Sequence, residues 1–107
     1  MSYPERIIKG RKSVEGCILG CLFKDMLLIK EYKLKESMFI STEGKFYFGI
    51  LNNLLRQGIV EVTDTDIRLT STDDVISQYK DNGGIKIIDK LKNSVDLKNF
   101  EVYLDEI

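Results

Sequence analysis

Residues 41–58 read STEGKFYFGILNNLLRQG and predict a long amphipathic helix. Ser41 or Thr42 suits the N-cap, because a hydroxyl side chain can accept a hydrogen bond from a free backbone N–H of the first turn. Gly58 follows where helices commonly end, so we expect the helix to continue to Gln57. The apolar residues recur at the three- and four-residue spacing of one helix face. They are Tyr47, Ile50, Leu51, Leu54 and Leu55, with Phe46 and Phe48 widening the face.

A second apolar helix is predicted to precede it, from Ser13 as the N-cap to about Phe23. Gly16 and Gly20 lie four residues apart in it, and each lowers helix propensity by ~1 kcal/mol relative to Ala. Glycines four residues apart leave a smooth groove, so we expect another helix to pack closely there. The apolar face should consist of Val14, Cys17, Ile18, Cys21 and Leu22.

The middle of the chain predicts short helices. One covers residues 26–31, and a capping signal at residues 63–66 leads into a brief turn at residues 67–69. Residues 71–74 have the form of a capping box and start a helix that stops at residues 81–84.

The end of the chain predicts two more helices. One covers residues 85–93, and Asp96 caps the other. Three of the four residues 59–62 are β-branched, but no second strand is visible to pair with them. We therefore predict an all-α fold, a compact orthogonal bundle of five to six short helices. The last helix repeats apolar residues at Leu97, Phe100, Leu104 and Ile107.

The length and composition fit one domain with one core, since 43% of the 107 residues are hydrophobic. We expect residues 1–12 to be a flexible leader and residues 13–107 to be the helical domain. No stretch approaches the roughly 20 apolar residues that span a bilayer, and the first residues do not resemble a secretion signal. We therefore expect a cytoplasmic protein.

The charge is unevenly distributed along the chain. Residues 1–60 carry ten basic and six acidic side chains, and residues 61–107 carry six basic and eleven acidic ones, so the balances are +4 and −5. Neither half has the concentrated basic surface of a nucleic-acid-binding domain, and we expect little direct DNA binding. Opposite charges on the two halves would favour contacts between copies of the chain. The alternative for the early basic residues is a solubilising arm. They are Arg6, Lys9, Arg11 and Lys12.

Metal chemistry is disfavoured by the residue types present. The chain has no histidine, which is the commonest metal ligand and the commonest general base near neutral pH. Cys17 and Cys21 share a helix face, but two thiols alone do not complete a zinc site. We interpret both as packing residues, because free cysteine is among the most buried residue types.

Catalytic carboxylates are also disfavoured. Asp64 and Asp66, like Asp73 and Asp74, fall at predicted helix starts, where capping explains an aspartate. No phosphate loop of the form G-x-x-x-x-G-K-[ST] is present. We predict no catalytic, metal-binding or cofactor-binding residue in this chain.

Several features occur in a characteristic order. Glu15, Leu19 and Gly20 lie in the first helix, and Phe39 and Phe48 come before and within the next long one. The later members of the set are Gly58, Gly83, Gly84, Leu91, Asn99 and Tyr103. This ordered set resembles the N-terminal domain of bacterial and phage replicative DNA helicases of the DnaB type, over residues 13–107.

The resemblance has departures. A histidine of the family pattern falls on Gly44, and the proline before it falls on Thr42. The extended Val-Asp element after Gly58 is displaced by about two residues from the family register.

The resemblance implies a role rather than a reaction. In that family a C-terminal RecA-like domain binds ATP and magnesium, and the N-terminal domain forms a collar that supports the hexamer and contacts primase and helicase loader. A helical hairpin completes much of the assembly, and residues 96–107 would lead into it. We therefore expect the chain to be a monomer or weak dimer at micromolar concentration.

Five residues are predicted to lie at interfaces. Met26 and Met38 suit adaptable contacts, with core packing as the alternative. At the C-terminal end, Phe100 and Leu104 would be exposed without their hairpin partner, and Ile107 is the fifth candidate. Phe100→Ala should then weaken assembly of the full protein more than it destabilises the chain.

Two other functions are consistent with parts of the sequence. The chain could be a stand-alone phage or host regulator that copies this head and binds helicase, loader or primase. A winged-helix DNA-binding protein is disfavoured, because that class needs a basic recognition helix and the helices after Gly58 are acidic.

Overall fold

Helices make up the whole regular structure of residues 4–107, which the computed structural model describes apart from the side chain of Ile8. No strand occurs within this range, so the prediction of an all-α fold is confirmed. The described residues form a compact globule with a radius of gyration of 13.3 Å. Its α-helices are α1 Glu5–Lys24, α2 Leu28–Glu31, α3 Thr42–Arg56, α4 Asp64–Thr70, α5 Asp73–Asp81, α6 Ile85–Asn93 and α7 Phe100–Asp105. Short 3-10 helices cover Glu36–Met38 and Leu97–Asn99.

Helix α1 begins at Glu5, after Pro4. The predicted start at Ser13 is therefore wrong, and residues 5–12 belong to α1 instead of a leader, while residues 1–3 lie outside the described range. Apolar periodicity marks only buried helix faces. The first part of α1 carries no such signal because most of its side chains are exposed.

Helix α3 packs against α1 and α4 and confirms the strongest sequence prediction. The Ser41 side chain accepts a hydrogen bond from the Gly44 N–H at 2.9 Å, so Ser41 is the N-cap. The helix ends at Arg56, and Gly58 adopts a φ of +80°, which favours glycine. Its buried residues are Gly44, Tyr47, Phe48, Ile50, Leu51 and Leu54.

Helix α6 packs across α1 at the predicted glycine pair. A Cβ atom on Gly20 would overlap the carbonyl oxygen of Leu91 and would lie 3.0 Å from a Val95 methyl group. A Cβ atom on Gly16 would lie 3.6 Å from the Leu91 side chain. The predicted close approach of a second helix is therefore confirmed, and Gly20 is the position that requires it.

Helices α4 and α5 differ in detail from the prediction. The brief turn expected at residues 67–69 is a helix of seven residues, capped by Thr63. Helix α5 is capped by Thr72, one residue later than the box that Ser71 predicts. The two helices are joined by the Tyr79 hydroxyl, which donates to the Asp64 carboxylate at 2.6 Å.

The C-terminal residues pack onto the body of the domain. Asp96 accepts a hydrogen bond from the Lys98 N–H at 3.0 Å, as a cap should. The Phe100 ring lies edge-on to Tyr32, with centroids 5.0 Å apart, and the Tyr32 hydroxyl donates to Glu101 at 2.7 Å.

None of the helices within residues 4–107 is both long and apolar enough to cross a membrane.

Candidate functional site

A buried carboxylate joins α1 to the start of α3. Glu15 is only 1% exposed. Its carboxylate accepts hydrogen bonds from the backbone N–H of Ile40 at 3.0 Å and of Ser41 at 3.2 Å, and from the Ser41 hydroxyl at 2.7 Å. The Arg11 guanidinium lies 3.6 Å from the same carboxylate and donates to the Met38 carbonyl at 2.7 Å. The buried charge is therefore paired and hydrogen-bonded, as a stable interior requires.

Gly44 leaves room for this carboxylate. A Cβ atom at position 44 would overlap a Glu15 carboxylate oxygen and approach the Ser41 hydroxyl at 2.8 Å. The histidine that the family pattern has at this position would therefore not fit beside Glu15 in this arrangement. Glycine at position 44 therefore has a local physical reason, which is the position of the Glu15 carboxylate.

A small cavity lies between α1, α3 and α6, with a volume of about 190 Å³. Apolar side chains such as Leu19, Ile87 and Leu91 line most of it. Lys12 and Glu43 also line it and form an ion pair at 3.1 Å. The pKa of Glu43 is lowered by a hydrogen bond to its own backbone N–H and then by Lys12.

Tyr47 also lines this cavity, but its hydroxyl group is buried and has no hydrogen-bond partner among the described residues. Burial raises the pKa of Tyr47. The Asn82 side chain acts in the opposite direction but does not reach hydrogen-bond geometry. Because the hydroxyl oxygen is shielded from solvent, a molecule in the cavity would meet mainly apolar surface.

A larger groove, the α3–α5 groove, runs along the outer face of α3. Its volume is about 410 Å³. Phe46, Ile50 and Val75 supply apolar surface, and Lys45 and Arg56 lie at the two ends of the α3 stripe that lines it. The sequence does not predict this groove, because its lining comes from three separate segments and a periodic pattern describes only one segment at a time.

The cysteines are packing residues to different degrees. Cys21 is fully buried, as predicted, whereas Cys17 is partly exposed. Burial raises the pKa of the Cys21 thiol to about 11, and burial also raises that of Cys17. Both thiols are therefore protonated near neutral pH, which disfavours their use as nucleophiles or metal ligands.

The paired aspartates lie in the first turns of α4 and α5, although the caps themselves are Thr63 and Thr72. Hydrogen bonds from Tyr79 and then Arg68 lower the pKa of Asp64. Within residues 4–107, no group of three or more acidic, cysteine or histidine side chains could hold a metal ion.

The residues that carry the family resemblance fall into three structural groups. Glu15, Leu19, Gly20, Phe39 and Phe48 are buried. The other three glycines of the set have positive φ values, +80° at Gly58, +114° at Gly83 and +62° at Gly84. They lie where helices end or begin. Leu91 lies in the α1–α6 contact, Asn99 is exposed, and Tyr103 is partly buried.

Two of the five predicted interface residues lie in the core. Met26 is 1% exposed and Phe100 is 3% exposed, so the expectation that Phe100 would be left on the surface is wrong. The reason is that α7 packs against α1 and the Phe100 ring also contacts Tyr32, so the domain itself supplies the partner that we expected from a hairpin. Met38, Leu104 and Ile107 are partly buried against the core.

Other apolar residues are the exposed ones. Leu69 is 77% exposed, and Val102 is 59% exposed. In the sequence neither residue has the spacing of the buried apolar face of its helix. That spacing is the signal from which their exposure could be predicted. The remaining large exposed apolar residues of the described range are Ile7, Leu27, Val60 and Leu97.

The fold and this geometry define a small all-α domain whose buried polar contacts hold helices together. No protein-family model, curated protein or solved structure matches the chain.

Proposed function

We propose that the chain is the non-catalytic N-terminal collar domain of a hexameric replicative DNA helicase of the DnaB type. In this role it supports ring assembly and docks primase or helicase loader during DNA replication in the cytoplasm. The observation that carries the proposal is the contact of Glu15 with Ser41. Glu15 is the first residue of the set that resembles the family. Its carboxylate accepts hydrogen bonds from Ser41, the N-cap of α3.

The other members of the set support the proposal in the same way. Gly20 lies where α6 crosses α1, and Leu91 is the residue that it meets. Gly58 and the pair at residues 83–84 adopt backbone conformations that favour glycine. The residues of the family pattern therefore lie where this fold needs a close helix approach or a positive φ, which is consistent with a shared fold. Gly44 is an exception, because the family pattern has a histidine there.

The proposal assigns no chemistry to this chain. ATP and magnesium belong to the RecA-like domain of the full helicase, and we propose little direct contact between this domain and DNA. The acidic balance of residues 61–107 supports that assignment, because a phosphate backbone attracts basic surfaces.

The test begins with the reading frame that encodes the chain. We expect it to continue into a domain with a G-x-x-x-x-G-K-[ST] loop. Sedimentation of the encoded protein should show a hexamer that is weakened when residues 1–107 are deleted, and primase binding should be lost with it. A hexamer that keeps both its stability and its primase binding after the deletion would contradict the collar role.

The chain alone should sediment as a monomer or weak dimer at micromolar concentration. A stable hexamer of the 107 residues would contradict the proposed dependence on the hairpin.

The second candidate is a stand-alone regulator that copies this head and binds helicase, loader or primase. The packing of Phe100 on Tyr32 favours it, because residues expected to await a hairpin are satisfied within the domain. A reading frame without a phosphate-loop domain, together with binding of the chain to a helicase hexamer, would select this candidate.

A further inference from the structure

We propose that the α3–α5 groove is a docking site for an acidic amphipathic helix of a partner protein. The inference rests on the groove alone and stands whether or not the chain belongs to a helicase.

The shape of the groove fits a helix. Lys45, Gly49, Asn53 and Arg56 line it from one stripe of α3, at the spacing of residues that share a helix face. The stripe is roughly 16 Å long, since eleven residues separate its ends at 1.5 Å each. The apolar side chains beneath it can receive the apolar face of a second helix.

Gly49 has no role within the domain that explains it. A Cβ atom there would meet nothing within 4 Å, in contrast to Gly20 and Gly44, where it would overlap neighbouring atoms. Glycine in a helix interior is unfavourable, and one that faces an open groove lets another helix approach closely. The position is therefore suited to a contact that the isolated chain does not make.

The charges at the two ends favour an acidic occupant. Neither Lys45 nor Arg56 forms an ion pair within residues 4–107, whereas Lys12 and Arg68 do. Among the described residues Glu36 is the one carboxylate that lines the groove, which leaves this lining with a balance of +1. A partner helix with acidic residues eleven positions apart would place one beside Lys45 and one beside Arg56. These two ion pairs would favour acidic over basic partners and would fix the position of the partner helix along α3.

The wall opposite α3 is held in place. The Asn53 side chain donates to the Thr70 carbonyl at 2.9 Å, which ties α3 to the last residue of α4. Thr70 in turn donates its hydroxyl to the Asp66 carbonyl at 2.7 Å. The groove is therefore preformed, and docking does not require the domain to open.

The test uses two synthetic helical peptides of about 16 residues with the same leucine face. One carries glutamates eleven positions apart, and the other carries lysines at those positions. Fluorescence anisotropy with the 107-residue chain should show that the acidic peptide binds at least about tenfold more tightly. The double variant Lys45→Glu, Arg56→Glu should reverse the preference.

Gly49→Leu should abolish binding, because its side chain would fill the groove. Gly10→Leu is the matched control, since it also places a leucine at a helical glycine with open space around it but lies outside the groove. Circular dichroism and thermal melting should show that both variants fold.

Three results of the peptide-binding experiments would each overturn the proposal. They are no binding of the acidic peptide up to about 1 mM, equal binding of both peptides, and binding that survives Gly49→Leu. Self-association of the chain that disappears in Gly49→Leu would also overturn it, because it would assign the groove to a second copy.

Discussion

The Ser41 hydroxyl donates a hydrogen bond to the Glu15 carboxylate at 2.7 Å while it accepts one from the Gly44 N–H at 2.9 Å. One oxygen atom therefore caps α3 and attaches that cap to α1. The carboxylate also accepts from the Ser41 backbone N–H, so the loop before α3 is held by a buried charge rather than by apolar contacts alone. This contact determines where α3 begins relative to α1.

Glu15→Gln should destabilise the domain by about 1.5–3 kcal/mol, the range for hydrogen bonds to a charged group. The amide replaces one accepting oxygen by a donor and removes the charge that faces Arg11. Urea unfolding followed by circular dichroism measures the loss.

Glu5→Gln is the matched control, because Glu5 forms an exposed ion pair with Lys9 on the same helix. It should change the free energy of unfolding by less than about 1 kcal/mol. Equal effects of the two substitutions would contradict the importance of the buried contact.

Gly20→Ala should destabilise the domain by about 1–3 kcal/mol, the usual range for overpacking. The added methyl group meets a backbone carbonyl of α6, which cannot rotate away as a flexible side chain would. This effect should outweigh the gain in helix propensity. Thermal melting of the variant is the measurement.

Gly10→Ala in the same helix has open space and should stabilise the domain by about 0.5–1 kcal/mol. A stabilising Gly20→Ala would show that α6 does not approach α1 as described.

Phe100→Ala should destabilise the domain itself by about 3–5 kcal/mol, because the ring is buried and packs on Tyr32. Val102→Ala, on the exposed side of the same helix, should change stability by less than about 0.5 kcal/mol. Chemical unfolding of both variants decides between a core and a surface role. If both substitutions changed the free energy of unfolding by equally small amounts, Phe100 would be a surface residue and not a core residue.

The stability of the domain should fall between pH 9 and pH 11. Below pH 9.0 the Cys21 thiol holds its proton in the folded and the unfolded state, and its pKa in the folded state is about 11. Between these values only the unfolded state loses the proton, so the free energy of unfolding decreases, by about 2–3 kcal/mol at most.

Urea unfolding across this pH range should show a shallower decline for Cys21→Ala than for the unchanged protein. The variant loses some stability at every pH because of the smaller side chain, so the slope is the informative quantity. Parallel slopes would mean that the thiol is not desolvated.

The local signals of the sequence predicted some elements closely and others poorly. The bounds of α3 and α6 follow from apolar spacing together with a cap or a glycine, and both lie within a residue of the prediction. Apolar spacing does not predict the start of α1, because the side chains of its first turns are mostly exposed and form no apolar face. The exposure of Phe100 was mispredicted because its partner, Tyr32, is distant in the sequence.

The candidate site divides in the same way. The close approach at Gly20 could be predicted, because two helical glycines on one face are unfavourable unless something packs on them. The α3–α5 groove could not, because its lining comes from three segments whose proximity is set by long-range packing.

By itself the sequence determined the all-α class, the position of α3 in the chain and the absence of histidine chemistry, because periodicity, caps and residue types act locally. Tertiary structure alone decided that Glu15 holds Ser41, that Leu91 rests on Gly20 and that Phe100 is covered. These contacts join residues far apart in the chain. Their geometry depends on how whole helices pack, which no local pattern encodes.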